Sequence, residues 1–135
     1  MQKQSNEIMS KATRKDAVNW FELYVNDFDR AKRFYETVLQ APLQESATGP
    51  CRMAMFPFDM LNGVGGSISK TDGLSAGQGG TLVYLNVEGD LDGVLNRISS
   101  AGGAVLKPRT SIGEHGFIAV VKDTEGNSVG LHSSK

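Results

Sequence analysis

A strand that runs straight into an amphipathic helix occurs twice in this chain, at Asn19–Gln40 and at Thr81–Gly102. That repeat limits the fold more than any other feature. The two helix starts are alike, Asp27-Phe28-Asp29 and Asp90-Leu91-Asp92, and further strands follow each helix. A fixed offset with matching element order is the mark of an internal duplication. Two βαβββ halves can each bury one sheet face under a helix. The expected fold class is therefore α+β: two βαβββ modules in tandem, with curved mixed sheets enclosing a cavity and one main helix outside each module.

In the first strand, Trp20, Glu22 and Tyr24 alternate with Phe21, Leu23 and Val25. Successive strand side chains point to opposite faces. The Phe/Leu/Val face suits a core. An indole, a carboxylate and a phenol suit a ligand cavity. Asp27 can accept from the free N–H groups of the helix start, and Asp29 suits the positive end of the dipole. Phe28, Ala31, Phe34, Tyr35, Val38 and Leu39 share one helical face, while Arg30, Lys32, Arg33 and Glu36 lie on the other. Pro42 disfavours helix at Ala41 and marks the end. A short edge strand within Ala41–Pro50 and a hairpin of Cys51–Phe58 with Val64–Lys70 complete the first half. Pro57 puts that strand end at an edge or a bulge.

The second half opens with a strand at Thr81–Val87, where Leu82, Tyr84 and Asn86 share one face. Asp90 is placed to cap a helix carrying Leu91, Val94, Leu95, Ile98 and Ala101, and Gly102 supplies its left-handed stop. Ala104–Lys107 reads as a short strand. Gly116–Lys122 and Ser128–His132 form a hairpin around Asp123-Thr124-Glu125-Gly126-Asn127, with glycine where the loop needs positive φ. If Asp123 pairs with Asn127, Ile118, Val120 and Lys122 share a face with Ser128, Gly130 and His132. The expected organisation is a polar tail at 1–18 and one domain at 19–135. Within that domain, module one is 19–70, the glycine-rich linker 71–80 and module two 81–134.

The chain has 135 residues, enough for one domain with a real core. Its net charge of −1 argues against a nucleic-acid surface. No apolar run reaches the ~20 residues of a membrane span. Residues 1–18 lack the apolar stretch of a secretory signal. The only cysteine, Cys51, fits a reducing cytoplasm.

Four stretches, in this order and spacing, carry a family likeness: WFELYVNDFDRAKRFYETVL from Trp20, VGGSI at 64–68, TLVYLNV at 81–87 and KDTEGNSVGLHS at 122–133. The chain resembles the vicinal oxygen chelate superfamily, also called the glyoxalase/bleomycin-resistance/extradiol-dioxygenase superfamily. It is most similar to small glyoxalase-like proteins described as relatives of lactoylglutathione lyase. The resemblance implies the glyoxalase-like fold and a homodimer. In the metalloenzymes of the family it also implies a divalent metal held by four side chains, from the first and last strands of each half. Those positions fall here on Trp20, on Leu82, on Gly130 and within Gly63–Lys70, which contains no His, Asp, Glu, Gln or Cys. Trp, Leu and Gly offer no side-chain ligand to a divalent metal. The expected cofactor is none, and the metal's Lewis-acid role is lost with its ligands.

Several residues remain as candidates, each with a plainer alternative. Glu22, beside Trp20 on one face, suits a general base or acid; the alternative is a solvated or Arg-paired carboxylate at the rim. Histidine is the side chain most easily poised near neutral pH, which makes His132 the second catalytic candidate; the alternative is a surface histidine. His115, after Glu114 in a turn, is either a lid contact or a loop residue. Trp20, Tyr24, Leu82, Tyr84 and Asn86 make a pocket lining of a few polar tips on apolar walls, or simply fill the interior. Met53, Met55 and Met60 read as packing. Gly63–Gly66 lacks the Lys-Ser/Thr and following helix of a phosphate loop. Three functions follow. The first is binding of a small aromatic or carbonyl-containing molecule without metal. The second is a metal-independent isomerase or lyase using Glu22. The third is a metal-dependent lyase or dioxygenase with ligands drawn from Glu22, Glu114, His115 or His132.

Overall fold

The computed structural model describes residues 16, 18, 20–46, 51–79 and 81–135. The tail expected at 1–18 lies outside the described residues except for Asp16 and Val18, both exposed. The described residues form two four-stranded mixed sheets and two α-helices. Module one contains β1 (Trp20–Tyr24), α1 (Phe28–Leu39), β2 (Gln44–Ser46), β3 (Arg52–Met55) and β4 (Gly65–Lys70). Module two contains β5 (Tyr84–Asn86), α2 (Leu91–Ile98), β6 (Ala104–Ser111), β7 (Phe117–Lys122) and β8 (Ser128–Ser133). The sheet orders are β1-β4-β3-β2 and β5-β8-β7-β6, with β1 parallel to β4 and β5 parallel to β8. The duplication is thus present in the topology. The sheets stay separate, with β1 and β5 as edge strands.

Helix α1 starts where Asp27 Oδ1 accepts from the Arg30 N–H at 3.0 Å. This satisfies one of the donors a helix start leaves free. It ends at Gln40, which takes a left-handed φ of 53°, one residue before Ala41. Phe28, Ala31, Phe34, Tyr35 and Val38 are buried along one face, as their spacing requires. They meet Leu23 and Val25 of the first strand segment and Ala54 and Ile68 of the hairpin. Full burial of each large apolar side chain contributes about 1.5–3 kcal/mol. Helix α2 buries Leu91, Val94 and Ile98 in the same core. The helices touch where Arg97 Nε donates to the Val38 carbonyl at 2.9 Å.

Four local expectations are corrected. Asp90 sits at the N-cap position of α2 but makes no side-chain cap bond; its carboxylate is held by Arg97 Nη2 at 2.7 Å instead. The first strand of module two is regular only over Tyr84–Asn86, and β3 only over Arg52–Met55, so Pro57 lies beyond the strand. Strand β6 runs eight residues rather than four, with register shifts between Val105 and Lys107 and between Lys107 and Thr110. As an edge strand it tolerates Pro108, which has no N–H to pair.

The second hairpin joins the modules. Asp123 N–H donates to the Asn127 carbonyl at 3.0 Å, and Gly126 takes φ 86°. Glu125 reaches back across 95 residues and more of sequence. Its Oε1 accepts the backbone N–H groups of Asn26 (3.0 Å) and Asp27 (2.8 Å), and Arg30 donates to both its oxygens. Asp123 Oδ2 accepts from the buried Tyr35 hydroxyl at 2.7 Å, and Asn127 Nδ2 donates to the Tyr24 carbonyl at 2.9 Å. Burial and the neighbouring Asp123 carboxylate push the Tyr35 hydroxyl well up from its usual range. Burial also works against the Glu125 carboxylate. The hydrogen bonds from Arg30, Thr124 and the two backbone N–H groups outweigh it and hold the group below its ordinary value.

Candidate functional site

Strand β1 divides its side chains as the alternation requires. Leu23 is buried with Val25 in the core, while Trp20, Glu22 and Tyr24 share the opposite face. Small residues lie beside them on β4: Trp20 is in register with Gly65, Glu22 with Ser67 and Tyr24 with Ser69. Module two repeats the arrangement, with Tyr84 beside Gly130 and Asn86 beside His132. The glycines are needed for the rings. A Cβ at Gly130 would lie 2.4 Å from the Tyr84 ring, and one at Gly65 would lie 2.6 Å from the Phe58 ring. Phe58 in turn meets Trp20 edge-on, with ring centroids 6.0 Å apart. Gly130, in the last strand of the chain, therefore lies under an aromatic ring.

Between the edges of β1 and β5 lies a cavity of 840 Å³. Its apolar wall includes Trp20, Phe58, Val64, Leu82 and Tyr84, and its charged groups are Glu22, Glu88 and Asp90. A second cavity of 270 Å³ is lined by Tyr24, Ser75, Gly77, Asn127 and Ser128. Glu22, Thr81 and Val83 line both. The glycine-rich linker forms part of the second wall. It is pinned there by the Gly77 N–H to Asn127 Oδ1 at 2.7 Å and the Ala76 N–H to Asn26 Oδ1 at 3.3 Å.

The candidate residues thus separate into two groups. Trp20, Glu22, Leu82, Tyr84 and Asn86 come together in the main cavity, and Tyr24 turns into the smaller one. The Asn86 amide oxygen is already used, accepting from the Glu88 N–H at 2.9 Å. His132 lies on the expected face, in register with Ile118, yet lines neither cavity. Its Nε2 is 2.8 Å from the His115 carbonyl. The side chains of Glu114 and His115 stand out in solvent, 90% and 78% exposed. Among the described residues, no group of three or more His, Cys, Asp or Glu side chains is placed to hold a metal. The positions at which the family likeness expects ligands carry Trp20, Leu82 and Gly130, so the donor set does not fit a divalent ion.

Sequence reasoning missed Phe58, Val64, Glu88 and Asp90 in the wall. Phe58 and Val64 flank the first hairpin turn, where alternation no longer predicts direction. Glu88 follows β5 directly. Its carboxylate accepts from the Ser134 hydroxyl and, at 2.7 Å, from the Ser134 N–H. These two bonds hold it below its ordinary value. No helix among the described residues is long and apolar enough to cross a membrane.

Known proteins resemble the chain in both sequence and fold. It is 26% identical over 121 residues to the CFP32 proteins of Mycobacterium bovis and Mycobacterium tuberculosis, whose name assigns them provisionally to the glyoxylases. The match covers 87% of this chain and 46% of theirs, so the chain spans about half the length of these curated relatives. A glyoxylase/bleomycin resistance protein/dioxygenase domain from a Frankia species superposes with a TM-score of 0.67 at 21% identity, covering 90% of this chain and 100% of that one. The fosfomycin resistance protein FosX of Listeria monocytogenes superposes with a TM-score of 0.62 at 15% identity, covering 90% and 94%. At such identities these likenesses establish the fold. The family model extends over residues 17–131, and the chain belongs to the Glyoxalase/Bleomycin resistance protein/Dioxygenase superfamily.

Proposed function

We propose that this protein binds a small aromatic or carbonyl-containing molecule in the cavity between β1 and β5, without the metal chelation common in its family. The observation that carries this reading is the aromatic replacement of the chelating positions. Trp20 stands where the likeness expects the first ligand, and the Tyr84 ring covers Gly130, where it expects the last. A cavity of 840 Å³ with apolar walls and few polar groups has the size and make-up of a small-molecule site. Trp20 is the sole tryptophan and is 36% exposed, so its fluorescence reports on occupancy. A panel of aromatic and carbonyl compounds is expected to contain members that shift both this signal and the melting temperature. A panel that moves neither sinks the proposal.

One observation favours a second reading, proton transfer next to a substrate carbonyl. Among the described residues no hydrogen bond or ion pair engages Glu22, although it lines both cavities. A carboxylate left uncommitted in a ligand cavity is available as a general base. Glu22→Gln should then abolish any turnover while leaving ligand binding measurable.

A further inference from the structure

The charged residues described around the two cavities are all of one sign. Among the described residues, Glu22, Glu88 and Asp90 line them, and no Lys, Arg or His does. Two of the three carboxylates are committed within the protein. Asp90 is paired with Arg97 at 2.7 Å. Glu88 accepts two bonds from Ser134, with Lys135 and His132 close enough to favour its charged form. Glu22 alone lacks a partner among the described residues, and it stands between Trp20 on its own strand and the wall shared by the two cavities. Among the described lining residues an anionic ligand would find no counter-charge. A cation would find a free carboxylate and the faces of Trp20 and Tyr84, which attract positive charge through the ring quadrupole.

Building on the binding function proposed above, we infer that the preferred ligand is an organic cation: an apolar or aromatic body carrying an ammonium or guanidinium group. The body fills the 840 Å³ chamber, and the charged group meets Glu22 where that chamber adjoins the smaller, more polar one. Carboxylates, phosphates and phosphonates of the same shape are disfavoured, because each would bring a second negative charge to Glu22 without a compensating cation.

The test uses one frame with three charges: biphenyl-4-ylmethylammonium, biphenyl-4-ylmethanol and biphenyl-4-carboxylate, titrated into the full chain and followed by Trp20 fluorescence and protein-observed NMR. The ammonium is expected to bind about tenfold more tightly than the alcohol, with the carboxylate weakest, and the preference should shrink with added salt as an exposed charge pair does. In Glu22→Gln, checked for an unchanged melting temperature, the ammonium and alcohol should agree within about twofold. Equal binding of all three probes, or tightest binding of the carboxylate, overturns the charge preference and leaves the small-molecule reading standing. An ammonium preference that survives intact in Glu22→Gln overturns the role given to Glu22. Perturbation by none of the three overturns this inference, whereas the broader panel decides the binding function separately.

Discussion

The turns at the ends of the two hairpins, Asp59–Gly63 and Asp123–Asn127, occupy the same place in the element order of their modules. Each begins with an aspartate whose Oδ1 accepts the N–H two residues on, from Leu61 at 3.0 Å and from Glu125 at 2.9 Å. Beyond that shared local chemistry they part. Leu61 is 91% exposed and Met60 77% exposed. Glu125 is buried against the start of α1 and receives the N–H groups of Asn26 and Asp27. The helix starts differ in the same sense. Asp27 caps α1, whereas Asp90 is drawn away from α2 by Arg97. Duplicated sequence thus preserves what a turn does for itself, while only the second of the two turns docks onto the other module, at the start of α1.

The sharpest way to break this comparison is to remove Glu125. Its side chain has no solvent exposure, so Glu125→Ala leaves two backbone donors and the Arg30 contact without their acceptor. The expected loss is about 3 kcal/mol in a denaturant titration, against less than about 0.5 kcal/mol for Leu61→Ala on the exposed turn. The sign of the pH effect follows from the lowered value of Glu125. Its contribution is complete above the ordinary glutamate value of about 4.3 and is lost as pH falls through the folded-state value below that. Glu125→Gln should therefore flatten the acid limb of the stability curve. Equal losses at Leu61 and Glu125 would show that the two turns dock alike.

A smaller effect is expected in the cavity wall. Gly130→Ala puts a methyl group into the space of the Tyr84 ring. Displacing the ring should cost about 1–3 kcal/mol of stability and alter the affinity of any ligand seen by Trp20 fluorescence. Unchanged stability and affinity would mean that Tyr84 does not depend on its glycine. The smallest effect separates the helix starts: Asp27→Ala should cost about 1 kcal/mol. Asp90→Ala should cost about 0.5 kcal/mol or less, since its partner Arg97 is only part-exposed but Asp90 itself is 55% exposed. A larger loss at Asp90 would restore symmetry between the modules.

The local features of the fold were legible because they are written in neighbouring residues. The Asp27 cap, the positive φ at Gly126 and the face shared by Ile118, Val120, Gly130 and His132 all depend on spacings within one hairpin or one turn. The site was legible only in part. Alternation places Trp20 and Glu22 on the cavity face, but it cannot tell that Tyr24, two residues on, turns into a different chamber. Register places His132 correctly and is silent about the His115 carbonyl that takes up its ring. The same blindness hides Glu125, whose partners lie 95 to 99 residues away, and Arg97, whose reach to Asp90 overrides a standard capping signal.

The long reach of Glu125 also sets an order of events during synthesis. The first turn of α1 emerges early, but the acceptor for the Asn26 and Asp27 N–H groups is made almost a hundred residues later. Module one therefore waits for the second hairpin before its helix start is closed, and contacts of such separation slow folding. A nascent chain halted in the linker would lack Glu125, and the Asn26 and Asp27 N–H groups would be left to water. The modules repeat one pattern, yet the acceptor that completes the start of the first helix comes from the last hairpin.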